Sequence, residues 1–381
     1  MYTPENTVLS NDSYAILNAI RNEVGGMFRA NTPLVQDAQS AKAYGMYVTG
    51  SGDARNQFMG ALINRIAQVV MFSRSYKNKL GRYKKGLLEF GEVVENVWVQ
   101  LVSPEGYSPV PDSPGDLFKQ NVPDSKVVFH PVNCKIVYEV TSNDSELSMA
   151  FTSSSGLYDF VSRIMQRLTD SDEWDSELLE RYVIARAILD NTSLVELNTP
   201  ALTPANSDAI IAKMKGVSNG MRFMTTEYNV EAVPTHSPVE NQVFFLTADS
   251  SACIDVFSLA KAYNLSYDQF VGQQDMLRSF GFNTAEMARL NKIMQESLAQ
   301  GIIPNYTPFT EEELTFLNTI VGAIIDDDFF MIFDRLYRVD AAPYDTLHLS
   351  QNTFLHHWSV NSYNPFANAV FFSTAAEHPN A

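Results

Sequence analysis

The chain has 381 residues, of which 45% are hydrophobic and 12% aromatic, so it can bury a large core as one large domain or two to three smaller ones, and long disorder is excluded. A net charge of −17 argues against tight nucleic-acid binding, which needs clustered Lys and Arg. Only 19% of residues are charged, which suits a surface that becomes interface; no run approaches the roughly eighteen apolar residues of a membrane helix, and the first residues resemble no export signal.

Residues 1–52 are polar and interrupted by Gly25, Gly26 and Pro33, with helical apolar spacing only over 14–21. That predicts an extended arm with one short helix, ordered by a partner. From 54 to 72, Phe58, Met59, Leu62, Ile63, Ile66, Val69 and Val70 recur at three and four behind Asp53, a suitable N-cap.

Between about 74 and 141 the period changes to two. Val93, Glu95, Val97 and Val99 alternate with Val94, Asn96, Trp98 and Gln100, and 126–131 and 134–140 supply return strands. Residues 104–115 hold four prolines, a turn-rich tip that cannot sit in a central sheet. A hairpin so long and thin cannot bury itself. It should make few contacts within its own subunit and lie on a neighbour.

Helical spacing returns at Leu157, Phe160, Val161, Ile164, Met165 and Leu168, then at Trp174, Leu178, Leu179, Tyr182, Val183, Ala187 and Ile188, with 169–172 read as a break between two helices. Pro200 and Pro204 mark a mixed region over 193–334, with helices at 255–263, 285–299 and after the acidic first turn of Glu311, Glu312 and Glu313. The aromatic run Phe354, His356, His357 and Trp358 leads into a final strand rich in Phe and Val. Such a strand must be buried against elements made much earlier, and 14–22, 243–249 and 326–334 stand out as partners.

Catalytic patterns are sparse. The histidines His130, His236, His348, His356, His357 and His378 show no metal-ligand spacing, and His356 and His357 would point to opposite faces of a strand. No nucleophile elbow or phosphate loop occurs, and residues 50–55 lack the third glycine of a dinucleotide loop. Cys134 and Cys253, without CxxC spacing, read as buried free thiols. Asp326, Asp327 and Asp328 could hold a divalent ion, but three consecutive carboxylates cannot all converge, which favours a solvated turn. Asp170, Asp172, Glu173 and Asp175 read as the acidic start of a helix. No catalytic, cofactor or metal residue is therefore assigned.

One charge feature stands out. Arg74, Lys77, Lys79, Arg82, Lys84 and Lys85 place six positive charges within twelve residues of an acidic chain. They form either a solvated basic face or an inter-subunit contact with the acidic surface of another copy.

Short runs at 19–22, 83–86, 129–130, 260–264 and 366–370 occur in an order that resembles the major capsid protein of small short-tailed phages, the Salasmaviridae and their relatives, over roughly 12–275 and 323–374. The resemblance implies an α+β, HK-97-type capsid fold. Residues 1–50 would be the N-terminal arm, 51–74 a peripheral-domain helix, and 75–130 the extended E-loop over the neighbouring subunit. Residues 131–192 would be the peripheral domain with its spine helix, 193–334 the axial domain with a helical insertion near 276–318, and 335–381 the return strands of the peripheral domain, the last strand included. The best-known branch carries an immunoglobulin-like domain after the final strand; with the chain ending at Ala381, none is expected. The implied function is self-assembly into hexamers and pentamers of an icosahedral head around double-stranded DNA, bound without sequence preference. Scaffolding and portal proteins would be partners, in the host cytoplasm and then the virion. An encapsulin-type compartment shell, and a hydrolase using Asp326 to Asp328, are the rival readings.

Overall fold

The computed structural model describes residues 13–66, 76–104, 122–151, 156–190, 193–197, 207–252, 273–299 and 306–375. In chain order the helices are α1 (Ser13–Val24), α2 (Gly26–Asn31), α3 (Ala38–Gly50), α4 (Gly52–Ile66), α5 (Asp144–Ala150), α6 (Gly156–Asp190), α7 (Ser207–Gly220), α8 (Thr284–Ala299) and α9 (Glu311–Leu317). The strands are β1 (Lys84–Leu87), β2 (Val93–Val99), β3 (Ser125–Pro131), β4 (Cys134–Asn143), β5 (Leu194–Glu196), β6 (Gln242–Thr247), β7 (Gln273–Leu277), β8 (Ile320–Asp326), β9 (Phe330–Ala341), β10 (Ser350–Tyr363) and β11 (Ala369–Ser373). They form a four-stranded sheet β1-β9-β10-β4, a five-stranded sheet β5-β11-β8-β6-β7 and a two-stranded ribbon β2-β3. The chain divides into two compact units, the first holding 1–81, 135–177 and 334–358, the second the remainder; α6, β9 and β10 each run through both.

The first unit is built on an aromatic core. Leu17, Ile20, Phe28, Tyr44, Val48, Phe58 and Phe151 are buried in it, and Tyr44 stands edge-on to Phe28 and Phe58 at centroid distances of 5.8 and 6.1 Å. Gly45 lets α3 meet that core closely, since a Cβ there would sit 2.7 Å from the Phe151 ring. This arrangement overturns the extended arm expected for 1–50: residues 13–50 form three helices, not one. The glycines and proline that look like breaks are helix boundaries. Gly25 and Gly26 have φ of 63° and 51°, a conformation that favours glycine. Beyond the turn, the Asn18 amide exchanges two 2.8 Å hydrogen bonds with the Val35 backbone, while Asp37 and Ser40 cap α3. Polar residues here satisfy backbone groups inside a folded subunit. Helix α4 starts at Gly52, so Asp53 lies in its first turn and is not its N-cap; Val69 and Val70 lie outside the described residues.

Helix α6 is the second correction. The run 169–172, read as a break, lies inside one continuous helix of 35 residues. Its polar groups are answered locally and from afar. Thr169 and Ser171 donate back to the carbonyls of Met165 and Arg167, Asp170 accepts the backbone N–H of Tyr76 at 3.0 Å, and Glu173 accepts that of Asn78 at 2.8 Å.

In the second unit the five-stranded sheet forms the core. Helix α7 packs Ile210 and Met214 against Phe244, Leu246, Ile324, Val370 and Phe372. Strand β11 is buried at every position, runs antiparallel to β8 (Ala369 opposite Ile325) and parallel to β5 (Phe371 opposite Leu194). The closing strand is therefore buried, as its composition requires. Its partners differ from those expected: residues 14–22 are helical, 243–249 contribute β6 one strand further away, and β11 joins the sheet built from 193–334. A strand apolar on both faces needs the middle of a covered sheet.

The predicted helices at 285–299 and after Thr310 are present as α8 and α9. Thr310 and Glu313 make a capping box at the second. The helix expected at 255–263 lies outside the described residues, as do Cys253, His378 and most of the proline-rich tip.

Candidate assembly surface

The ribbon carries exposed apolar side chains that its alternating sequence makes inevitable. Strands β2 and β3 pair antiparallel from Val93 opposite Pro131 to Val99 opposite Ser125. Period-two geometry then sorts the side chains onto two faces. One face, with Val94, Asn96, Trp98 and His130, turns toward the ribbon's own chain: the Asn96 amide lies 3.6 Å from the Met331 sulfur, and His130 Nδ1 lies 2.9 Å from Ser362 Oγ. Lys126, opposite Trp98, donates to Glu231 at 2.8 Å.

The other face is bare. Val93, Val97, Val99 and Val127 are all exposed, and Phe129, opposite Glu95, is 61% exposed. Phe90, just before the ribbon, is 89% exposed. Among the described residues the hairpin's hydrogen bonds to its own subunit lie along the first face, a difference from the expectation of few contacts. Sequence alone cannot choose the free face, because Val93 and Val94 look alike.

At the root of the ribbon a cavity of about 510 Å³ is lined by His130, Tyr182, Tyr306, Ser362 and Tyr363, among others. Burial pushes the His130 imidazole below its ordinary value. Burial also raises the phenols of Tyr182 and Tyr363, the latter donating to Asp190 at 3.0 Å. His130 Nδ1 and the Tyr363 hydroxyl are engaged with Ser362 and Asp190 of the same unit.

The basic run is divided by the structure. Arg74 lies outside the described residues. Lys77 and Lys79 are exposed, and Lys84 is half-buried. Arg82 pairs with Asp275 at 2.6 Å and lies over the ring of Tyr83, whose hydroxyl also donates to Asp275; Tyr83 in turn stacks on Phe330 at 4.4 Å. Lys85 pairs with Asp328 at 3.1 Å.

The acidic triplet does not converge. Asp326 is buried and accepts the Asp328 backbone N–H at 2.9 Å, with its carboxyl pushed up by burial, whereas Asp328 is 78% exposed and faces Lys85. The triplet is a turn between β8 and β9, but its first member is not solvated. Among the described residues no group of three or more His, Cys, Asp or Glu side chains is placed to hold a metal ion, and no described helix is long and apolar enough to cross a membrane.

This architecture defines the class: it is the HK-97-type fold of phage capsid proteins. The capsid of Staphylococcus phage Andhra matches it with a TM-score of 0.55 at 11% identity, covering 80% of this chain and 86% of that one. The head of Helicobacter pylori bacteriophage KHP40 matches with 0.51 at 11%, covering 80% and 92%.

A family model described as Phi29-like phage major capsid protein matches residues 17–373, and the chain belongs to that family. The major capsid protein of Bacillus phage GA-1 is 27% identical, covering 96% of this chain and 70% of the relative. That of Streptococcus phage Cp-1 is 24% identical, covering 94% and 93%. The resemblance carried by the short runs is borne out, and the protein is a structural component of a phage capsid.

Proposed function

We propose that the chain assembles into the hexamers and pentamers of an icosahedral head around double-stranded DNA, with the β2-β3 ribbon lying over a neighbouring copy as the extended loop. The bare apolar face of Val93, Val97, Val99, Val127 and Phe129 carries this reading, because contiguous exposed apolar surface marks an interface. On this reading α6 is the spine helix of the peripheral domain and the five-stranded sheet belongs to the axial domain, β11 with it. Residues 13–50 pass from the arm to the peripheral core. Scaffolding and portal proteins are the assembly partners in the host cytoplasm. The acidic chain holds DNA without sequence preference, and no catalytic role is assigned.

Arg74, Lys77, Lys79, Arg82, Lys84 and Lys85 are the inter-subunit contact, and Lys77 and Lys79 are exposed for it. Arg82 and Lys85 also pair with carboxylates of their own chain. An exposed pair contributes about 0.2–1 kcal/mol. Roughly 1.4 kcal/mol is tenfold in an equilibrium constant, so two pairs repeated at every contact can tip assembly. Sedimentation velocity of the purified chain with its scaffolding protein is expected to show shell-sized particles at low salt. Lys77→Glu with Lys79→Glu, or high salt in the wild type, should raise the concentration at which they appear. An unchanged threshold in the double variant would leave the basic run a solvated face. Absence of particles in the wild type under all conditions would defeat the assembly reading itself.

A further inference from the structure

The first unit contains a buried charge cluster that capsid assembly does not explain. His357 on β10 is 4% exposed. Its Nδ1 lies 2.6 Å from an Asp172 oxygen on α6, and its Nε2 lies 2.9 Å from an Asp334 oxygen on β9. The ring of Tyr337, also on β9, packs edge-to-face against it at 5.4 Å.

A neutral imidazole has one N–H and one lone pair. With a carboxylate at each nitrogen, the neutral ring would set a lone pair against a carboxylate oxygen at one of the two contacts. Both contacts are hydrogen bonds only when the trio holds one proton more than a neutral ring between two carboxylates, either on the ring as an imidazolium or on one carboxyl. Asp334 keeps 26% of its side chain in solvent, where water solvates a carboxylate better than a carboxylic acid, and this favours the arrangement with the proton on the ring. The surroundings favour the cation as well. Next to Asp172 on the helix lie Glu173 and Asp175, the latter accepting the hydroxyl of Tyr138 from β4 at 2.9 Å. Burial, then Asp172, Glu173 and Asp334, raise the Tyr337 phenol, which stays neutral near physiological pH.

We propose that His357 is a proton-operated clamp between α6 and strands β9 and β10: doubly protonated, it holds Asp172 and Asp334 together, and on losing a proton it releases one of them and loosens the helix–sheet junction. The sign follows from proton counting. Histidine in an unfolded chain gives up its proton near pH 6.5, whereas the clamped ring keeps it. Folding of the first unit therefore takes up a proton above that pH. The unfolding constant should rise by as much as about tenfold per pH unit until the clamp opens.

The test uses the full chain, labelled with 15N-histidine and kept as unassembled subunits. At pH 7.5, one imidazole is expected to show both nitrogens protonated, and His357→Gln should remove that signal. Asp334→Asn, at the more exposed carboxylate, shifts the same signal and assigns it should His357→Gln fail to fold. Urea unfolding from pH 6.5 to 8.5 should weaken the wild type more steeply than His357→Gln. A neutral-ring signature for His357 at pH 7.5, or equal pH slopes in the two proteins, overturns the clamp.

Discussion

Replacing Val97 and Phe129 by threonine should abolish assembly at concentrations where the wild-type chain forms particles, without unfolding the subunit. Both side chains are exposed in the isolated chain, at 53% and 61%, so the fold loses little. Threonine also keeps a good strand former at each position. In the assembled shell the same side chains would be covered. Full burial of such groups is worth about 1.5–3 kcal/mol each. With only about half of each side chain left to bury, the pair removes roughly 1.5–3 kcal/mol per contact, about tenfold to a hundredfold in its association constant. Light scattering against concentration measures the shift, and circular dichroism checks the fold. Assembly at the wild-type threshold would mean that this face meets nothing.

The largest effect on stability is expected at Glu286. Arg181, buried on α6, donates to Glu286 at 3.0 Å and to the Gly281 carbonyl at 2.6 Å, with the ring of Phe282 over its guanidinium at 4.7 Å. Glu286 also closes a box with Asn283 at the start of α8. Truncation to alanine leaves a buried guanidinium without its carboxylate, at a cost of about 3–5 kcal/mol. Burial acts to raise the Glu286 carboxyl, but the Asn283 N–H and Arg181 outweigh it and hold the group below the usual carboxylate range. A folded value below the unfolded one stabilises the second unit above the ordinary carboxylate range and is lost as pH falls through the folded value. Urea unfolding at neutral pH should show the alanine variant far weaker than wild type, with the gap narrowing in acid. A gap independent of pH would remove the ion pair as its cause.

Local rules made much of the fold legible. Alternating Val and polar residues marked β2, the acidic first turn marked α9, and the apolar run ending in Val370, Phe371 and Phe372 marked a buried strand. What stayed hidden depends on residues far along the chain. The middle of α6 reads as a break because its carboxylates have no local partners; they are answered by Tyr76, Asn78, Tyr138 and His357. Helices α2 and α3 are short, and their ends are fixed by the left-handed Gly25 and Gly26 and by the Asp37 cap, signals that look like loop. The basic run was visible as a charge cluster, but the pairing of Arg82 with Asp275 and of Lys85 with Asp328 joins segments that sequence spacing cannot connect. His357 looked like one of two adjacent strand histidines. Only the approach of α6 and β9 distinguishes it from His356.

The central claim, that the ribbon's bare face is an interface between copies, is tested most directly by cryo-electron microscopy of shells assembled from the purified chain. The map should show Val93, Val97, Val127 and Phe129 of each copy covered by protein density from a neighbouring copy. A map in which that face is open to solvent, or is folded back onto its own subunit, would contradict the account.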